Sequence, residues 1–102
     1  GLELEPVTHP NDLYTGENIT FKFTMDGQAA AGTELVLVKG GERYRDRSEP
    51  TKLTTNEKGE VSFSVEEAGM YWLEAEYADN NGKAPATKRQ GSYVAVLEVL
   101  PM

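Results

Sequence analysis

The sequence predicts an all-β domain, an antiparallel sandwich of about seven strands. Three observations lead there. Apolar and polar residues alternate at period two in several short stretches. Gly, Asn and Asp cluster between those stretches as turn signals. No stretch carries a helical period long enough to supply a crossover between parallel strands. At 102 residues the chain suits a single domain spanning 1–102, enough for one core and too little for two.

A short opening strand is expected near Leu2 to Glu5. The clearest strand runs from Asn18 to Met25, where Ile19, Phe21, Phe23 and Met25 alternate with Thr20, Lys22 and Thr24. Asp26-Gly27 follows as a tight turn. Thr33 to Lys39 is apolar on both faces, Leu35 and Leu37 on one and Val36 and Val38 on the other, which predicts cover on both sides. Gly40-Gly41 breaks it before Glu42 to Arg47. Thr51 to Thr55 and Glu60 to Val65, joined by Asn56-Glu57-Lys58-Gly59, read as a hairpin.

From Gly69 to Ala78, Tyr71, Leu73, Ala75 and Tyr77 share the core face while Trp72, Glu74 and Glu76 share the other. Tyr71 follows Ala68-Gly69-Met70 at the start of a late strand, the placement of a tyrosine corner, in which the hydroxyl bonds back to upstream backbone. Asp79-Asn80-Asn81-Gly82 is a turn cluster, Lys83 to Gly91 a polar loop, and Ser92 to Leu100 the final strand. Both faces of that strand are apolar: Val94, Val96 and Leu100 face one way, Tyr93, Ala95, Leu97 and Val99 the other. An edge strand of this kind calls for cover by a second domain or a neighbouring chain. The pattern is immunoglobulin-like (prealbumin-like), with Phe21, Phe23, Phe63, Tyr71 and Leu73 expected inside.

Composition excludes several function classes. Seventeen acidic against ten basic residues give a net charge of -7, which repels nucleic acid and anionic lipid. The absence of cysteine removes thiolate nucleophiles, disulfides and cysteine-based zinc sites. No run approaches the roughly 18 apolar residues of a membrane helix, so no membrane insertion is expected. Gly1 to Thr8 lack the regions of a secretory signal, and an export signal is expected upstream, making the chain part of a longer exported protein.

The only histidine, His9, stands apart from any nucleophile elbow, so no catalytic residue is expected. Glu74 and Glu76 share a strand face about 7 Å apart, which alternating charge on an outer face explains without catalysis. Asp79-Asn80-Asn81-Gly82 lacks the closing glutamate of an EF-hand loop. No cofactor is expected; a transition metal held by this chain alone would rely on His9 with Glu5 and Asp12. Trp72 is the outlier, a large aromatic on the same face as two glutamates, where either a loop or a partner must cover it. Trp72 and Tyr93 are therefore the expected contact residues.

Several segments taken together resemble a known family. Leu4-Glu5-Pro6 with His9-Pro10, Leu13 and Gly16 before the Phe21 strand, Asp26-Gly27, Thr55-Asn56-Glu57-Lys58-Gly59-Glu60-Val61 and Gly69-Met70-Tyr71-Trp72-Leu73 are similar to the C-terminal half of a bacterial periplasmic family of unknown function. Its members are often labelled as periplasmic components of cobalt or nickel transport systems. The Thr-x-x-x-Gly-x-Val and Gly-x-Tyr-x-Leu elements are also similar to carboxypeptidase regulatory-like and transthyretin-like sandwiches. The histidines near the mature N-terminus that would serve as metal ligands in that family have no counterpart here. The resemblance implies a non-catalytic accessory or ligand-binding domain of a periplasmic or cell-envelope protein, linked to cobalt or nickel uptake. Its expected partner is an upstream domain of the same protein or another envelope protein. The alternative is a structural or adhesive spacer, or a carbohydrate-binding module in which Trp72 stacks with Tyr77 or Tyr93.

Overall fold

Period-two alternation places one face of nearly every strand inward, and the computed structural model shows two antiparallel sheets stacked through those faces. It describes residues 1–9, 11–40, 50–80, 82, 85 and 87–102. The expected segment Glu42 to Arg47 lies outside the described residues, as do Pro10, Gly41, Asn81 and positions 83, 84 and 86 of the expected loop.

Among the described residues eight strands are formed: β1 (Leu2–Pro6), β2 (Ile19–Met25), β3 (Gln28–Ala29), β4 (Glu34–Lys39), β5 (Thr51–Thr54), β6 (Glu60–Phe63), β7 (Gly69–Asp79) and β8 (Arg89–Val99). In the first sheet β2 is central, with β1 on one side and the short β3 and β6 both paired to β2. The second sheet runs β5-β4-β7-β8. Between β2 and β3, Asp26 (φ 52°) and Gly27 (φ 83°) form a two-residue turn with both residues left-handed, the geometry that matches strand twist.

The core residues expected from the alternation are in place. Phe21, Phe23, Phe63, Tyr71 and Leu73 are buried with Ile19, Leu35 and Val61, and Phe21 meets Phe63 edge-on at 5.8 Å. Leu13, from the β1–β2 connection, plugs one end of the core. The Tyr71 hydroxyl donates to the Glu67 carbonyl at 2.7 Å, so the tyrosine corner is present.

Three expectations need correction. β5 and β6 do not form a hairpin: β5 pairs with β4, and β6 pairs with β2 in the other sheet. The turn itself closes as its residues dictate, with Asn56 Oδ1 accepting from the N–H groups of Lys58 and Glu60. The same turn chemistry serves an arch between layers. Buried Thr55 fixes the arch, its hydroxyl donating to Ala30 O at 2.6 Å and accepting from Thr33 N at 2.8 Å. Gly59 is pressed so close to the first sheet that a β-carbon would sit 2.4 Å from Phe23 O.

Second, β8 begins at Arg89, inside the segment expected to be loop. A cross-strand pair between Asp79 and Arg89 extends the ladder, the guanidinium donating to both carboxylate oxygens at 2.9 and 2.7 Å. Third, β4 is covered less fully on its outer face than on its inner one. Leu35 and Leu37 are buried, whereas Val36 and Val38 are only half-buried on the outer face.

Candidate functional site

Because side chains alternate along a strand, the residues of β4, β7 and β8 that do not enter the core share the outer face of the second sheet. The registers line up Val38, Trp72 and Val96 in one row and Val36, Glu74 and Val94 in the next. Trp72 is 51 % exposed, Val94 59 % and Val96 48 %, with Met70 at the end of the same stripe. These are large apolar side chains set side by side on neighbouring strands. Exposed Glu34, Glu74, Glu76 and Glu98 frame it.

Trp72 is held by a feature that sequence reading missed. A β-carbon on Gly40 would lie 3.1 Å from Trp72 Cδ1 and Nε1, so the indole leans across the bare backbone of Gly40. Gly40 N also donates to Met70 O at 2.7 Å, which anchors the end of β4 beside the ring. The Gly40-Gly41 pair was readable as a strand break, but not as a seat for an aromatic two strand positions away.

Tyr93 does not join Trp72. It points inward and packs edge-on to Phe23 at 6.1 Å, and Tyr77 is likewise packed against the core. A stacking platform of Trp72 with Tyr77 or Tyr93 is therefore not formed, because odd and even positions of adjacent paired strands face opposite ways. The outward neighbours of Trp72 are Val38 and Val96.

The residues considered for a metal lie on the first sheet and its connection. Glu5 is exposed on β1 opposite Lys22. His9 is exposed, its Nδ1 accepting from Asn11 N at 3.1 Å, and its carbonyl accepts from Asp12 N at 2.8 Å. The histidine thus shapes a tight turn. Among the described residues no group of three or more His, Asp or Glu is placed to hold a metal ion, so Glu5, His9 and Asp12 are not assembled as a ligand set. A cleft of about 500 Å³ at one end of the second sheet takes Glu34 and Glu76, but among its described lining residues neither Glu74 nor His9 appears.

A second cluster was also missed. The Tyr77 hydroxyl donates to Asp79, and Arg89 reaches from Asp79 to Gln28 Oε1 at 3.4 Å and to Asp26 Oδ2 at 3.5 Å. The β2–β3 turn is thereby tied to the β7–β8 end of the other sheet. Its hydrogen bond to Asp79, with burial and the carboxylate charge, raises the Tyr77 pKa above the usual phenol value. Arg89 is held still more firmly protonated, first by its hydrogen bond to Asp79. The cluster's signal in the sequence was an acid and a base flanking one turn cluster, a pattern too common to single out.

Compared with known proteins, no curated protein and no solved structure matches this chain. One family does match, over residues 1–79, a span that takes in β1 through β7 and leaves β8 outside. Covering well over half of the 102 residues, that match places the chain in the family described as Domain of unknown function (DUF4198).

Proposed function

We propose that this chain is a non-catalytic accessory domain of a bacterial periplasmic protein, linked to cobalt or nickel uptake, that works by contact through the outer face of its second sheet. The observation that carries the contact role is the row Val38, Trp72 and Val96, in which strand alternation turns a large indole outward and leaves it half in solvent. The uptake link is supported by the similarity of the Leu4-Glu5-Pro6, Thr55–Val61 and Gly69–Leu73 segments to proteins labelled in that way. The partner is an upstream domain of the same protein or another envelope protein.

Isothermal titration with nickel, cobalt and zinc tests the metal side. Heat above buffer that is lost in His9→Ala would assign coordination to this domain, contrary to a contact role. No heat, together with Trp72→Ala weakening capture of the rest of the parent protein, is the expected result.

A second reading, a carbohydrate-binding module, is favoured by the same half-exposed indole, since one flat aromatic framed by carboxylates is a minimal sugar platform. A glycan array with Trp72→Ala as control separates the two. Signal lost in the variant supports the sugar reading, and blank profiles for both proteins remove it.

A further inference from the structure

Of the strands at the edges of the two sheets, β8 alone is left unprotected among the described residues. β1 is five residues long and ends in Pro6, β5 is four and follows Pro50, β6 is four and β3 only two. Short length, proline and charge are the devices by which edges avoid pairing with other chains. β8 is eleven residues of Arg-Gln-Gly-Ser-Tyr-Val-Ala-Val-Leu-Glu-Val, with no proline and no lysine.

Its open side can be identified residue by residue. Met70 O accepts from Gly40 N, so even positions of β7 point to β4 and odd positions to β8. The register Tyr71↔Leu97 and Leu73↔Ala95 then turns the odd backbone groups of β8 toward β7 and the even ones outward. Leu100, next in the even series, has both groups taken, its N–H by Leu13 O at 2.8 Å and its C=O by Thr15 N at 3.0 Å. Among the described residues Gln90, Ser92, Val94, Val96 and Glu98 make no backbone hydrogen bond on that side.

Side chains along the edge are unfinished in the same place. On the inner face Tyr71, Leu73 and Ala75 of β7 are buried, yet Tyr93, Ala95 and Leu97 beside them on β8 are only half-buried. On the outer face Val94 and Val96 are exposed. An added strand would close the edge and set side chains beside these on both faces.

We infer that β8 pairs antiparallel with β8 of a second copy of this chain, across a two-fold axis at Val94, joining the two second sheets into one continuous sheet. The five open residues are symmetric about Val94, so every one of them finds a partner from the same set. Val94 faces its counterpart, Ser92 faces Val96, and Gln90 faces Glu98. No like charges are set opposite, and Glu98 meets an amide that can donate to it. This is the self-complementarity an isologous interface needs. The edge and the Trp72 face are separable: failure of either reading above leaves this pairing untouched.

Sedimentation equilibrium in buffered saline, which screens the -7 charge of each copy, tests it. A dimer that dissociates on dilution is expected, and Val94→Lys, which sets two ammonium groups together at the axis, should be monomeric with unchanged circular dichroism. The chain has no cysteine, so Val94→Cys gives a clean second reading. Opposed residues of a hydrogen-bonded antiparallel pair lie about 5.5 Å apart at Cα, within disulfide range. Oxidised Val94→Cys should form a covalent dimer while Lys52→Cys, on the opposite edge, does not. A monomer at every concentration would overturn the pairing and give the edge to a flanking segment or a different protein. A dimer indifferent to Val94→Lys, or equal crosslinking from Lys52→Cys, would overturn it as well.

Discussion

Replacing Thr55 with valine removes one hydroxyl from a buried three-residue knot and should cost far more than the same replacement at Thr33. The Ala30 carbonyl accepts from both hydroxyls, at 2.7 Å from Thr33 and 2.6 Å from Thr55, while Thr55 Oγ1 also accepts from Thr33 N at 2.8 Å. Thr33 and Ala30 are fully buried and Thr55 nearly so. In Thr33→Val the carbonyl keeps Thr55 and no donor is orphaned, so the loss is one hydrogen bond, about 1 kcal/mol. In Thr55→Val the carbonyl keeps Thr33, but Thr33 N is stranded without water. That adds a desolvation penalty of about 1–3 kcal/mol, for a total of roughly 2–4 kcal/mol. The double variant strips both donors from Ala30 O and should exceed the sum of the singles by about 1 kcal/mol or more. Urea melts provide the measurement, with an unchanged slope confirming a common unfolded state. A Thr55→Val variant no less stable than Thr33→Val, or strict additivity in the double, would show that the knot does not hold the arch.

Gly59→Ala should be among the most damaging single changes. The residue has φ +76° and a β-carbon would meet Phe23 O at 2.4 Å and Ala30 N at 2.9 Å, so the first sheet must shift; a loss above about 3 kcal/mol in urea is expected. Tyr71→Phe removes the bond to Glu67 O and should lower stability by about 1 kcal/mol with the fold intact, read as a lower urea midpoint at constant slope. Tyr77 carries a raised pKa, so folding binds its proton more tightly than the unfolded chain does. Its contribution is fully present below pH about 10 and is lost as pH rises through the higher folded value. Tyr77→Phe should therefore lower stability by a constant amount below pH about 10 and approach the parent protein at higher pH, which flattens the alkaline limb of a stability–pH profile.

The sequence disclosed the inward face of nearly every strand, because a period of two leaves no freedom about which residues meet the core. It also disclosed the tyrosine corner, since Gly69-Met70-Tyr71 fixes both the bend and the hydroxyl that closes it. What it withheld was the assignment of strands to sheets. Asn56 closes the same turn whether the following strand returns beside β5 or crosses to β2, and only the contacts of Thr55 and Gly59 with distant residues decide. The start of β8 was hidden for a similar reason: Arg89-Gln90-Gly91 has no apolar rhythm, and its extension depends on Asp79 across the ladder. At the candidate site, parity was enough to expose Trp72, while its pairing with Tyr93 failed on that same rule once the strands were set in register. Gly40 beneath the indole could be recognised only in three dimensions.

The arch from β5 to β6 has a further consequence for how this molecule comes into being. Each layer is assembled from non-adjacent parts of the chain, β1, β2, β3 and β6 in one and β4, β5, β7 and β8 in the other. During synthesis on a ribosome, therefore, no emerging N-terminal portion holds a finished layer until β6 has appeared, and its covering layer stays incomplete until β7 and β8 follow. Greasy strands must wait in the open for sequence-distant mates, so acquisition of the native state is expected to be slow and concerted rather than piecewise.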